Sequence, residues 1–209
     1  MKITIIGLGL IGGSLAKDLR KTKFATELVG VDTNGANAKK AVELGLVDRT
    51  ETLEKGIKGR DIVIIAIPVD KELEILPYIL DNVDNNTTVT DMGSTKRIIT
   101  DNVKEHPKRK QYVAAHPMSG TEDSGPEAAL EGLFKGKITI ICDHEESGPQ
   151  HLALIEKMLQ SLGMDIAYMT SDEQDHSTAF VSHLPHAAAF ALANAVLEKT
   201  DRNIIFDLA

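Results

Sequence analysis

Short apolar runs rich in β-branched residues recur along the chain, and the stretches between them carry their apolar residues at helical spacing. Lys2 to Ile6, Leu28 to Val31, Asp61 to Pro68, Thr87 to Thr90, Tyr112 to Ala115, Lys137 to Cys142 and Asp165 to Met169 read as strands. Ile62 to Ile67 is apolar throughout, as in a parallel strand with helices over both faces. Pro68 stops that strand at the carboxyl edge, where cofactors sit in open α/β sheets. Leu15 and Leu19 share one face of a helix that opens near Gly13, and Asn34 to Leu44 reads as a helix with Gly45 as its C-cap. Asp48 to Lys58 reads as a short helix or loop. Val69 to Asn82 is helical, with Leu73, Leu76 and Leu80 on one side, and further helices are expected from Thr95 to about Glu105 and from Pro149 to Leu162. Ser119 to Gly136 is a Gly-, Ser- and Glu-rich loop with a short helix.

Strands that alternate with helices predict an α/β fold, a doubly wound and mainly parallel sheet over residues 1–170. The pattern changes near Thr170. Ser171-Asp172-Glu173-Gln174 has capping-box spacing, and the helix it opens runs to about Lys199. Residues 171–209 are therefore expected to begin an all-α second domain. From Ala187 to Leu197 only Asn194 is polar, which predicts burial on every side. Pro185 inside this helix predicts a kink.

The turn after the first strand reads Gly7-Leu8-Gly9-Leu10-Ile11-Gly12. Here a GxGxxG follows a strand and opens a helix. Gly7 suits the tight turn, Gly9 the approach of a pyrophosphate, and Gly12 the close packing of helix on strand. The unpaired N–H groups at the helix start, with the positive end of its dipole, face the phosphates. The second strand ends in Asp32, twenty residues past Gly12, where a carboxylate can bind the adenosine ribose. Together these predict a Rossmann-type dinucleotide site. The charge on Asp32 repels a 2′-phosphate and Thr33-Asn34-Gly35 offers no arginine to attract one, so NAD is expected rather than NADP.

The 209 residues carry a net charge of −8, which disfavours a nucleic-acid partner. The single cysteine, Cys142, lies in an apolar run and reads as a small buried hydrophobe. It allows no intrachain disulfide, in keeping with a cytoplasmic setting. The apolar N-terminus imitates a secretory signal, but its glycines and its fit to strand–turn–helix argue against one. No segment reads as a membrane span.

Two further strand ends carry polar residues at the carboxyl edge. Neutral imidazole is well suited to take a hydroxyl proton near pH 7, and His116 at its strand end, with Pro117 fixing an extended backbone, is the expected base. Ser94 reads equally as an N-cap of the next helix or as the group that orients a substrate hydroxyl. Lys96 reads most simply as a solvated first-turn lysine, with a second role as a cation for substrate. His183 and His186, three apart on one helical face, need polar partners in an apolar helix: binding of an anionic substrate or cofactor is the preferred reading, structural histidines are the alternative, and a metal finds no third ligand nearby. His106, His144, His151 and His176 read as surface residues.

Taken with Gly7 to Ser14 and Asp32, the segments Asp91-Met92-Gly93-Ser94-Thr95-Lys96, His116-Pro117-Met118-Ser119-Gly120-Thr121-Glu122 and Ser182-His183-Leu184-Pro185-His186 resemble the prephenate dehydrogenase family, arogenate dehydrogenases included. The resemblance implies NAD-dependent oxidative decarboxylation of prephenate to 4-hydroxyphenylpyruvate in tyrosine biosynthesis. His116 would take the hydroxyl proton, Ser94 would bond the same hydroxyl or His116, and His183 and His186 would face substrate carboxylate or nicotinamide. Dehydrogenases of the β-hydroxyacid and 6-phosphogluconate type share the element order but use a lysine of the following helix, and Lys199 lies at its far end. A non-catalytic NAD-binding module is the other alternative. Family members continue with helices that form a dimer and supply an arginine for the substrate, and Arg202 does not match that motif. Residues 1–209 are thus expected to bind NAD, to pair as a homodimer through the long helix, and to turn prephenate over poorly.

Overall fold

A chain of alternating buried strands and amphipathic helices has to cover both faces of its sheet. The computed structural model describes residues 1–199, without the side chains of Ser182, His183, His186, Leu197, Glu198 and Lys199. Its strands are β1 (Lys2–Ile6), β2 (Glu27–Val31), β3 (Arg49–Thr50), β4 (Ile62–Ile65), β5 (Thr88–Asp91), β6 (Tyr112–Pro117), β7 (Ile138–Cys142) and β8 (Asp165–Met169). They form one sheet in the order β3-β2-β1-β4-β5-β6-β7-β8. All neighbours are parallel except β6 and β7, where Pro117 lies opposite Thr139. The loop between these two strands therefore leaves and re-enters the sheet at the same, carboxyl edge.

The helices are α1 (Leu10–Lys21), α2 (Gly35–Glu43), α3 (Leu53–Gly56), α4 (Val69–Asn82), α5 (Arg97–Asn102), α6 (Pro149–Ser161), α7 (Ser171–Thr178) and α8 (Leu184–Lys199). Side chains of β4 alternate between two cores. Ile62 and Ile64 join Leu15 and Leu19 of α1 and Ile155 and Met158 of α6. Val63 and Ile65 join Leu76 and Ile79 of α4 and Ile99 of α5. The double cover expected from the apolar run is thus present, and the sheet is doubly wound. Asn34 caps α2 by accepting from Ala36 N–H at 2.9 Å, and Gly45 follows that helix at φ +67°.

Several expectations need correction. The stretch read as helix or loop near Asp48 holds α3 and also the edge strand β3, too short to show a period. Ser94 does not cap the helix expected from Thr95. That helix, α5, starts at Arg97, and the carboxylate of Asp175 on α7 accepts from the N–H groups of Lys96 at 2.6 Å and Arg97 at 3.0 Å. The capping residue of α7 is Thr170 rather than Ser171: its Oγ1 accepts from Glu173 N–H at 3.2 Å, and the Glu173 carboxylate accepts from Thr170 N–H at 2.8 Å. Between α7 and α8 the helix takes a π turn, Ala179–His183, just ahead of Pro185. Proline lacks the N–H and its ring crowds the carbonyl four residues earlier, and widening the turn relieves both.

Burial differs in three places. His151 is buried, with Nδ1 2.6 Å from Thr88 Oγ1 beneath β5, and burial lowers its pKa. Lys96 is fully buried rather than solvated. The helix expected to be buried on every side exposes Phe190 at 70% and Leu192 at 68%. Its pattern demands a cover that the described residues of one chain do not supply. Cys142 is buried as expected, and burial pushes its thiol up to about 12. Among the described residues no helix is long and apolar enough to cross a membrane.

Candidate active site

Three adjoining cavities cross the carboxyl edge of the sheet. The first, of about 430 Å³, lies over the start of α1 and is lined by Gly9, Leu10, Ile11, Pro68, Ser94 and His116 among others. The second, of about 440 Å³, shares Gly9 and Pro68 with it and extends to Asp32, Asn37 and Lys71. The third, of about 880 Å³, shares Ser94 and His116 with the first and reaches Lys137, Thr178 and Phe190.

The Gly-rich turn is shaped by close backbone approach. Gly7 sits at φ +91°, and a Cβ there would lie 2.3 Å from Ala66 O. A Cβ at Gly12 would lie 1.9 Å from Gly7 O, so the third glycine is what lets α1 start against the strand. At Gly9 a Cβ would meet only Gly125 N, at 4.0 Å. The protein itself leaves that space, and a side chain there would project into the cavities. Gly9 is the N-cap of α1 and supplies no side-chain cap, so the first-turn N–H groups face the cavity, as an anion site requires. Leu8 and Gly12 line none of the three cavities. Leu8 is buried, packs against Gly30, and gives its N–H to Asp32 Oδ2 at 2.9 Å. Both shape the turn.

Asp32 lines the second cavity while accepting from Leu8 N–H and, at 2.8 Å, from Asn34 N–H. Each carboxylate oxygen keeps a lone pair for a ribose hydroxyl. Lys71 in the same cavity was not anticipated. It is paired with Glu74 at 2.8 Å, so its charge is already met. The residues present fit a dinucleotide: anion-binding N–H groups, an open Gly9 and a carboxylate lie in the expected sequence.

Ser94 is exposed and His116 nearly buried, and both line the first and third cavities. The turn that presents Ser94 is fastened from below by Asp91. One oxygen of Asp91 accepts from Tyr112 OH at 2.7 Å and Ala115 N–H at 3.2 Å, and the other from Gly93 N–H at 2.9 Å and from Lys96 Nζ. Lys96 is placed away from where a substrate cation was expected: its ammonium is bonded to Asp91, and it lines none of the three cavities. Glu72 on α4 joins this buried cluster. Burial, then the charge of Asp91, pushes its carboxyl up to about 9, with Lys96 pulling the other way. Tyr112 is raised well above the usual phenol range by burial first, then by the charges of Asp91 and Glu72, with Arg109 pulling the other way. A Cβ at Gly93 would lie 3.0 Å from Asp91 Oδ2 and 3.2 Å from Glu72 Oε2, so the floor admits only glycine without a shift.

His116 is held on the other side by Gln174 of α7, whose Nε2 lies 2.8 Å from His116 Nδ1. Sequence reasoning missed Gln174, Asp91, Glu72 and Lys137. Asp91 and Lys96 stood within one motif and had a signal in their spacing; Gln174 had none, being separated from His116 by 58 positions. His183 and His186 fall in the π turn and at the start of α8, and their side chains lie outside the described residues, as does Arg202. Among the described residues no cluster of metal-ligating side chains is present.

Loop residues from Ser119 to Gly125 close one wall of the first cavity. The segment after them is fastened to α1: Leu130 N–H donates to Ser14 Oγ at 2.9 Å, Gly132 N–H to Asp18 Oδ1 at 2.7 Å, and Lys17 Nζ to Ala129 O at 2.6 Å.

A model of the prephenate dehydrogenase nucleotide-binding domain matches residues 15–168. The prephenate dehydrogenase of Bacillus subtilis is 34% identical over 199 residues, covering 93% of this chain and 54% of that protein. The chain thus spans about half the length of the curated relatives it matches first. The structure of prephenate dehydrogenase from Aquifex aeolicus in complex with hydroxyphenyl propionate and NAD+ superposes with a TM-score of 0.87 at 33% identity, covering 97% of this chain and 72% of that one. Synechocystis arogenate dehydrogenase superposes with a TM-score of 0.82 at 31% identity, covering 100% and 75%.

Proposed function

The chain belongs to the prephenate dehydrogenase family, and from that premise we propose that it carries out the NAD-dependent oxidative decarboxylation of prephenate to 4-hydroxyphenylpyruvate. The observation that carries this reading is the position of His116 and Ser94 where the cavity over the Gly-rich turn meets the larger cavity beside it. NAD bound along the first two cavities supplies the hydride acceptor. The N–H groups opening α1 bind its diphosphate, Asp32 its adenosine ribose, and Pro68 lines both of its compartments. His116 takes the proton of the ring hydroxyl as hydride leaves the same carbon, and Ser94 orients that hydroxyl. Loss of the ring carboxylate as carbon dioxide then completes aromatisation.

Prephenate brings two carboxylates. Among the described residues lining the third cavity Lys137 is the cation, and it takes the role first given to Lys96. His183 and His186 remain partners for a carboxylate or the nicotinamide by their place beside Val181, which lines the same cavity. Residues 1–170 form the nucleotide-binding unit and the helix beyond Thr170 opens a helical unit. The exposed apolar face of α8 supports pairing of two copies through it, and the single buried thiol is in keeping with the cytoplasm. A relative of similar likeness is an arogenate dehydrogenase, so the substrate assay has four arms: prephenate or arogenate, each with NAD or NADP. The reading predicts NADH formation greatest with prephenate and NAD. NADH formation confined to arogenate would move the substrate, and none with either would remove the function.

A further inference from the structure

Gln174 is fully buried, and its carboxamide nitrogen is oversubscribed. Nε2 lies 2.8 Å from His116 Nδ1, 2.8 Å from Thr178 Oγ1 and 3.2 Å from the Ser94 carbonyl, whereas Oε1 is buried with no hydrogen-bond partner. An amide nitrogen carries two hydrogens. The Ser94 carbonyl can only accept, so it takes one. The other is aimed at His116 Nδ1 and shared with Thr178.

A neutral imidazole has one N–H nitrogen and one bare nitrogen, and the bond made by one decides the state of the other. A bond donated by Gln174 requires Nδ1 to be bare, which places the ring proton on Nε2. In that form Nε2 donates and cannot take a proton, and Nδ1 is already engaged. The role given to His116 above requires the opposite form.

The oxygen and the NH2 group of a carboxamide are nearly equal in size, so a half turn exchanges them within the same space. Turned, Oε1 would accept from Nδ1–H and from the Thr178 hydroxyl, while Nε2 would become the unpaired atom and the Ser94 carbonyl would lose its donor. Each orientation leaves one buried amide atom unpaired, and the turned one also sets Oε1 against the Ser94 carbonyl, so that carbonyl is the group that favours the orientation seen. We propose that Gln174 is a positioning residue that sets which nitrogen of His116 carries the ring proton. With Nε2 toward Nδ1 it holds His116 as a donor, and a half turn of its carboxamide makes His116 Nε2 the proton acceptor. This rests on the reading of His116 as the base of the site.

The test is 15N NMR of histidine-labelled protein without substrate, at a pH where the imidazoles are neutral. The His116 signals are assigned by their loss in His116→Asn. The wild type is expected to show a bare, pyridine-type Nδ1 and a protonated, pyrrole-type Nε2. Gln174→Glu presents only acceptors and is expected to put a proton on Nδ1; Gln174→Leu is expected to abolish the preference. A pyrrole-type Nδ1 in the wild type overturns the proposal, as does a tautomer that Gln174→Glu leaves unmoved. The wild-type result is decisive even where a variant does not fold. No substrate enters these measurements, so a protein inert toward prephenate would remove the proposed activity alone. A protonated Nδ1 in a protein that oxidises prephenate would remove only this inference.

Discussion

Asp32 does two things at once: it braces the Gly-rich turn through Leu8 N–H and it lines the cavity expected to hold the adenosine ribose. Replacing it with Ala should weaken NAD binding by roughly 10–150-fold, the equivalent of about 1.5–3 kcal/mol for a hydrogen bond to a charged group, and narrow the gap to NADP. Calorimetry with both cofactors checks this, and wild-type protein that binds NADP as tightly as NAD contradicts it. Glu72 gives a second prediction. Its folded-state carboxyl is raised to about 9 from the ordinary 4.5, so between those values the folded protein holds a proton that the unfolded chain has released. Its contribution is then full below about pH 4.5 and is lost as pH rises toward about 9. Glu72→Gln cannot ionise, so its melting temperature relative to wild type should rise steadily from about pH 5 to about pH 9; a constant difference would mean that Glu72 is not held neutral. At this scale the sequence showed the nucleotide residues by the Gly-rich turn and the carboxylate that follows the second strand, and Ser94 and His116 by their place at or just after a strand end and beside a glycine or a proline. It hid Lys96 and His151. A polar side chain looks solvated until the partner that lets it be buried is known: for Lys96 that is Asp91, five positions away in the same motif, and for His151 it is Thr88, 63 positions away.

Helix α5 is too short to hold itself and takes its N-terminal acceptor from another element, Asp175 of α7. Asp175→Ala should cost about 0.5–2 kcal/mol, as for loss of an N-cap, which is about 2–4 °C of melting temperature per kcal/mol for a protein of this size. Because α5 follows directly on the turn that carries Ser94, turnover should fall while NAD affinity holds; an equal loss in both would mean that α7 supports the whole sheet edge rather than this turn. The long helices were legible from their apolar spacing, and α4 begins and ends where that spacing does. The strand β3 and the start of α5 were not, since a two-residue strand has no period and a cap supplied from 78 or 79 positions away leaves no local mark. The π turn was foreshadowed only as a kink at Pro185.

Across the whole molecule, the doubly wound sheet with one antiparallel pair brings Asp32, Ser94 and His116 to the carboxyl edge, and the loop between β6 and β7 walls the first cavity because both its ends return there. The apolar pattern of α8 foretold that it needs a cover but not what covers it, and the exposed Phe190 and Leu192 mark the surface in question. Light scattering over a range of protein concentration should show self-association, and Phe190→Asp should weaken it; a monomer at all concentrations would contradict pairing through α8. The central claim is that His116 receives the substrate proton during hydride transfer to NAD. Its most direct test compares wild type with His116→Asn, following NADH formation from prephenate and, in parallel, NAD binding by calorimetry. The account predicts a fall in rate of roughly 10²–10⁴-fold, the range for loss of a general base, with NAD affinity nearly unchanged. A variant that keeps most of its rate would contradict it.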